Sequence, residues 1–476
     1  MTTTAAALRE AGRTPSLPFT VALADGRPLT MRRVLRLLPG KRIVGEAEFE
    51  GHPVLAKLFI ANGSSRHMRR EHEGLVALAA AGLPTPALIH AGPLAGDGHA
   101  LLTDYLADAE SLADRWALHA HLPPGDVEAL AVLAPAFAML GRLHACGLLQ
   151  HDLHLGNFLH HHGRLHVIDG DAVDADRAGR PLCAAEAAAN LALLIAQLPT
   201  GWDGQLPALV AAYRSGYPSL DPDPSLLAVE IAGLRAARLK DYLGKALRDC
   251  TLFRVAKNFR RFAAVVRAEA DALAPLVADP DRRLAEGILL KDGGTCTVAR
   301  VDLGGRALVV KRYNLKHARH ALSRAWRPSR AWHSWLEGHR LRFLGIPTPA
   351  PLALVEARVG PLRGRAWLIT EHCPGPNLLQ HLAPHVAAGP PPAEAAALRA
   401  LFGALHRQRI SHGDMKATNL LWQDGAIVVI DLDAAVQHHS VQAHARAWRR
   451  DRARLLRNWP ADSGLHRWLD DNLPPV

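Results

Sequence analysis

Two short stretches of this 476-residue chain hold side chains at a spacing that phosphoryl chemistry requires. The first is LQHDLHLGNFLHHHGRLHVIDGDAV, residues 149–173, and the second is SHGDMKATNLLWQDGAIVVIDLDAAV, residues 411–436. Each has an Asp, an Asn five residues later and another Asp twelve beyond that: Asp152, Asn157 and Asp169, then Asp414, Asn419 and Asp431. In transfer from ATP, one carboxylate takes or orients the proton of an attacking hydroxyl. An amide oxygen and a further carboxylate hold Mg²⁺ against the phosphates, and a strand lysine steadied by a helix glutamate neutralises the α- and β-phosphates. The chain has only nine lysines. One lies in an apolar run upstream of each stretch, Lys57 in VLAKLF and Lys311 in LVVKRY. For the glutamate, Glu71 suits the spacing to the following glycine turn better than Glu73, and Glu337 is the candidate of the second copy. Two residues past the first Asp stand His154 and Lys416, where a positive or hydrogen-bonding group stabilises charge on the transferring phosphate.

The two sets belong to one long repeat. Leu143–His144, Asp152, Asn157 and Asp169 recur 262 residues later as Leu405–His406, Asp414, Asn419 and Asp431. GLPTP at Gly82 recurs as GIPTP at Gly345, and Lys57 as Lys311, in the same order. A colinear series of this kind marks two homologous domains, and its period is far too long for a solenoid. Short apolar runs around each lysine read as strands, and residues 69–81 and 331–344 as helices ended by Gly and then Pro-Thr-Pro. Residues 99–106 and 366–372 read as further strands, a mostly helical stretch follows, and RLHVIDGD and AIVVIDLD read as strands ending on carboxylates. The expected class is α+β, with a small β-rich lobe and a helical large lobe in each copy. Domains are expected over residues 1–280 and 281–476, with VADPDRR at 277–283 as linker.

Half the chain is apolar, enough for a real core, and the formal net charge of +11 suits anionic partners. Five scattered cysteines without a CxxC pair fit a reducing compartment and no structural zinc. The N-terminus lacks the apolar segment of a signal peptide, and the apolar runs at 127–140 and 187–198 read as buried helices. A cytoplasmic protein is expected, with peripheral contact at the inner membrane. Residues 238–262 read as a basic, partly amphipathic helix: a surface helix of the first large lobe, or a docking face for an anionic glycolipid or the inner leaflet. Residues 319–332 interleave Arg with Trp, which suits stacking on sugars, contact with phosphate or simply covering the small lobe. No nucleic-acid motif of recognisable spacing occurs, and no nucleic-acid partner is expected.

With these motifs the chain resembles the protein-kinase-like superfamily. More narrowly, HDLHLGNFL and HGDMKATNLL are similar to the catalytic loops of bacterial lipopolysaccharide core kinases, which share their fold with aminoglycoside phosphotransferases. IDGD and IDLD stand where protein kinases have DFG. The resemblance implies two tandem bilobal kinase-like domains, ATP and Mg²⁺ as cofactors, and a heptose or Kdo hydroxyl of the lipopolysaccharide inner core as acceptor. It implies Asp152, Asp414, His154 and Lys416 as catalytic groups. Lys57, Glu71, Lys311 and Glu337 would serve the nucleotide, and Asn157, Asp169, Asn419 and Asp431 the metal. There are departures. Neither copy has a GxGxxG or an APE segment, which favours a non-protein acceptor over a protein Ser/Thr, and Gln150 stands where His412 stands in the second copy. An aminoglycoside-type small molecule is the other alternative acceptor, and one copy is open to being a pseudokinase. The longer large lobe of copy one and its basic segment favour that copy as the catalyst.

Overall fold

The computed structural model describes residues 2–314 and 326–475. The chain divides into two compact units, Met1–Ala236 and Ala237–Val476. In the first, six antiparallel strands follow the order Phe19–Ala22, Pro28–Leu38, Arg42–Phe49, His52–Phe59, His99–Asp104 and Leu88–Pro93. The strand Arg42–Phe49 buries every second residue, Ile43, Gly45, Ala47 and Phe49, as a sheet with one packed face requires. Lys57 lies opposite Val44 on one side and Leu101 on the other, near the middle of the sheet.

The helix Ser65–Ala80 follows that lysine strand and buries Glu71, Gly74, Leu75 and Leu78. It stops where Gly82 takes φ of 69° and the amide of Leu83 turns back to the carbonyl of Leu78. A left-handed residue just past a helix end favours glycine, and the proline beyond forbids continuation. The second unit repeats the device at Gly345 (φ 72°), where Ile346 bonds back to Leu341. This is why the GLPTP and GIPTP turns recur. The first large lobe is built on helices Val127–Ala145, Ala184–Ile195, Leu206–Gly216 and the first half of Pro224–Lys245, a helix that runs across the division at Ala236. Val127–Ala145 is long and apolar enough by composition to cross a bilayer. It instead places Ala129, Leu133, Phe137, Leu140 and Leu143 in the core with Leu191, Trp202 and Tyr213.

The main sheet of the second unit has seven strands in the order Phe253–Lys257, Arg261–Val266, Pro351–Val359, Leu362–Glu371, Arg306–Tyr313, Cys296–Leu303 and Ile288–Gly293. Its large lobe holds helices Pro392–Arg407, Val441–Leu456 and Gly464–Asn472. The division between units lies well before the linker read at 277–283, for two reasons. Residues 253–266 are not helical but form a hairpin whose strand Arg261–Val266 pairs with Pro351–Val359. Only the start of the basic segment 238–262 is helix, ending at Lys245. The proposed linker is itself structured, as parts of helices Ala274–Ala278 and Pro280–Glu286. Asp281 ties it to the sheet, accepting from Arg312, Arg365 and the indole of Trp367. In the Arg319–Trp332 segment, residues 319–325 lie outside the described residues; Trp332 packs against Phe262 and beneath Arg358 and Arg363. All five cysteines are free thiols.

Asp281 serves three donors, so Asp281→Ala is expected to cost about 1–3 kcal/mol of stability, whereas Asp302→Ala, which removes an exposed pair with Arg300, should cost under about 1 kcal/mol. Urea unfolding of the full chain, followed by tryptophan fluorescence, measures both.

Candidate active site

In the first unit Lys57 meets two carboxylates. Its Nζ lies 2.5 Å from Glu71 Oε1 and 3.3 Å from Asp169 Oδ1. Glu71 is fully buried, and the same Oε1 accepts the amide of Gly170 at 3.0 Å. The contact depends on two glycines. A Cβ on Gly74 would lie 2.0 Å from the carbonyl oxygen of Gly170, and a Cβ on Gly170 would lie 2.4 Å from that of Glu71. Helix and IDGD turn therefore touch backbone to backbone, which brings Glu71 over Lys57. Burial pushes the Glu71 carboxyl up against the pull of Lys57. Burial acts the same way on Asp169, but the charges of Lys57 and Arg42 outweigh it and hold that carboxyl low. Asp169 itself sits at φ 74°, a left-handed conformation that costs an L-residue about 1 kcal/mol and turns its side chain out of the strand. Asp171 pairs with Arg70 at 2.7 Å.

The second unit solves the same problem differently. Counted back from the glycine turn, Ser334 occupies the place of Glu71, eleven residues before Gly345 as Glu71 is before Gly82. Leu432 replaces Gly170 in the turn. Lys311 Nζ lies 2.6 Å from Asp431 Oδ1 and 2.8 Å from Asp433 Oδ1. Asp433 Oδ1 also accepts from Ser334 Oγ at 2.8 Å and from the Tyr313 hydroxyl at 2.7 Å. Burial would lower Lys311, but Tyr313, Asp433 and Asp431 outweigh it and raise it. Glu337, expected to pair with Lys311, pairs with Arg340 at 2.9 Å. The expectation fails because Glu337 lies three positions further along the helix than Ser334, nearly a full turn away. Sequence reasoning missed Ser334, which the offset to the glycine turn could have revealed; Asp433 is visible as the second carboxylate of IDLD, but spacing alone does not assign it to the lysine.

The catalytic loops also differ. Asp152 is exposed, and His154 beside it is half-buried. Asn157 is buried, its Oδ1 accepting the amide of His154 at 3.0 Å. Gln150 donates from Nε2 to the carbonyl of Asp169, and Asn190 braces its backbone through the Gln150 carbonyl. Asn190 in turn faces the ring of His144, whose other nitrogen meets the Tyr213 hydroxyl. Burial lowers the His144 pKa to about 4, against the Asn190 hydrogen bond. In the second unit His412 reaches from Nε2 to the carbonyl of Ile430, and Asp451 accepts the amides of His412 and Gly413. Gln150 thus does for the first loop the bracing that His412 does for the second. Asp414 is held by two cations: Oδ2 lies 2.9 Å from Lys416 Nζ, and Oδ1 pairs with Arg454. Arg454, on a helix forty residues downstream, had no signal in the sequence.

A cavity of about 520 Å³ opens between the lobes of the second unit. Lys311, Asp431, Asp433 and Asn419 are among the residues that line it, with His372, Cys373 and Gly375. Asn419 gives its amide N–H to the carbonyl of Asp414, which leaves its oxygen for the cavity. Among the described residues, no three His, Cys, Asp or Glu side chains gather as a metal cluster. The Asn and Asp oxygens present in each unit are nonetheless the hard donors that Mg²⁺ takes, one or two from protein with phosphate completing the shell.

The family model for the lipopolysaccharide kinase (Kdo/WaaP) family matches residues 57–203 and 288–467, together more than half of the chain. Among solved structures, the chain is similar to WaaP in complex with acyl carrier protein at 19% identity, covering 43% of this chain and 88% of that one, with a TM-score of 0.34. It is also similar to the Mycobacterium tuberculosis PknI kinase domain at 17% identity, covering 44% and 95%, with a TM-score of 0.29. None of the curated proteins matches it.

Two predictions follow from this geometry. Glu71→Gln should weaken binding of a non-hydrolysable ATP analogue to the first unit by about tenfold, since Lys57 loses the charge that directs it and a hydrogen bond to a charged group is worth about 1.5–3 kcal/mol, whereas Glu337→Gln should leave the second unit's affinity unchanged. Analogue titration of each variant decides; equal losses would mean that Glu337 serves Lys311 after all. The second concerns pH. His144 stays neutral in the fold down to about 4, while in the unfolded chain it titrates at its ordinary 6.5. Unfolded chain binds the proton first, so stability is full above 6.5 and falls as pH drops toward 4, by about 3 kcal/mol in all. Urea midpoints across that window should lose this component of their slope in His144→Gln.

Proposed function

The chain belongs to the lipopolysaccharide kinase (Kdo/WaaP) family, and it is a phosphotransferase with an alcohol as acceptor; on that premise we propose that its first unit transfers the γ-phosphate of ATP to a heptose or Kdo hydroxyl of the lipopolysaccharide inner core. The reading rests on one observation, the Lys57–Glu71 pair joined to Asp169, the arrangement that productive nucleotide binding by kinases requires.

In this reading Lys57 takes the α- and β-phosphates, and Glu71 fixes its direction. Asn157 and Asp169 would hold Mg²⁺, which would offset phosphate charge. Asp152 takes the proton of the acceptor hydroxyl as its oxygen bonds to the γ-phosphorus, and the bond to the leaving ADP oxygen breaks. His154 donates a hydrogen bond to the transferring phosphate. Asp152 is exposed, which suits an acceptor arriving from solvent at the cytoplasmic face of the inner membrane. The second unit then binds nucleotide through Lys311 and the Asp431–Asp433 pair.

A second reading makes the second unit the catalyst, with Asp414 as base and Lys416 on the γ-phosphate. Its support is the cavity between the lobes and the Lys416–Asp414 contact. Against it stand the Ser334 substitution and the two cations that hold Asp414.

Core oligosaccharide from a kinase-deficient strain is the diagnostic substrate. Asp152→Asn should lower turnover on the order of a thousandfold, and Asp414→Asn should change it little. The reverse pattern would assign catalysis to the second unit, and labelling of protein Ser/Thr without oligosaccharide would replace the acceptor.

A further inference from the structure

Two hairpin tips lie side by side at one end of the second unit's sheet. The first is the turn Asn258, Phe259 and Arg260 between strands Phe253–Lys257 and Arg261–Val266. The second is the turn at Gly360 and Pro361 between Pro351–Val359 and Leu362–Glu371. They are stapled together. The amide of Gly360 donates to the carbonyl of Phe259 and the amide of Arg358 to that of Arg260, each at 2.7 Å. A Cβ on Gly360 would lie 3.1 Å from the Phe259 ring, so the ring lies across that turn.

The backbone here is paired and fixed, yet the side chains it presents are apolar and open. Phe259 is 68% exposed and Val359 63%, and Pro361 beside them is exposed as well. Lys257 and Arg260 flank the ring, both exposed and without an ion-pair partner among the described residues. Nearby acids are already engaged: Asp279 caps a helix through the amide of Arg282, and Asp281 serves Arg312, Arg365 and Trp367. An aromatic ring held out on a rigid turn between unpaired cations matches the anatomy of an interfacial membrane contact, with the apolar tip entering the headgroup boundary and the cations meeting anionic lipid.

We propose that these paired tips, Phe259 and Val359 with Lys257 and Arg260, dock the protein on an anionic lipid bilayer. Residues 238–262 read from sequence as a basic helix, either a surface helix or a docking face; in the structure Lys257, Phe259 and Arg260 lie instead on a hairpin. The contact is independent of phosphoryl transfer and of the acceptor's identity.

Flotation of the full chain with vesicles tests it, using phosphatidylcholine alone and phosphatidylcholine mixed with phosphatidylglycerol. Binding is expected to the mixed vesicles and not to the neutral ones, and to weaken with salt. Lys257→Ser with Arg260→Ser should lower partitioning about thirtyfold, at about fivefold per charge near an anionic surface. Phe259→Ser with Val359→Ser should lower it too, and Leu252→Ser, exposed elsewhere on the unit, should not. All three variants should keep wild-type turnover on delipidated oligosaccharide, which separates loss of docking from loss of catalysis. Absence of vesicle binding, equal binding to neutral vesicles, or undiminished binding by both double variants would overturn the proposal.

Discussion

A lysine that a strand holds half-buried needs a carboxylate. Left alone, a desolvated ammonium costs several kcal/mol, and only a close, well-directed counter-charge offsets it. Both units carry this burden, at Lys57 and Lys311, and each surrounding structure is shaped by how it is met. In the first, the carboxylate comes from the helix, so the helix must lie on the IDGD turn, and Gly74 and Gly170 exist to let it. In the second, Leu432 fills the turn, a serine replaces the glutamate, and the second Asp of IDLD takes over the lysine with help from Ser334 and Tyr313.

That difference reaches the chemistry. Where the helix supplies the partner, Asp171 is released to Arg70 and Asp169 stays available beside Lys57. Where the turn supplies it, both carboxylates of IDLD are bound to the lysine, and the loop Asp414 is itself gripped by Lys416 and Arg454. Two copies with nearly the same motif thus hold their charges in different arrangements, one with its loop Asp exposed and one with it paired to two cations.

Much of this was legible in the sequence, and the exceptions share a cause. The lysine strands, the helix ends at Gly82 and Gly345, and the Asp–Asn–Asp series are local: alternation, a left-handed glycine and fixed loop spacings write them directly. Glu71 followed from the same local count. Glu337 misled because residue type was weighed above position, and charge pairing is decided by which turn of the helix faces the sheet. Asp281 looked like part of a polar linker because its three donors come from strands that lie 31 or more residues away in the chain. The hairpin at 253–266 carried basic, helix-compatible residues, and its pairing with Pro351–Val359 overrode that preference. Arg454 is a tertiary neighbour of Asp414 and nothing local announces it.

Each half-buried lysine, with its own carboxylate arrangement, is proposed to make a nucleotide site. Isothermal titration of the full chain with a non-hydrolysable ATP analogue and Mg²⁺ addresses it most directly, with Lys57→Met and Lys311→Met alongside the wild type. Two sites per wild-type chain are predicted, with one lost in each variant and the other keeping its affinity. A single site in the wild type, or two sites surviving either substitution, would contradict it.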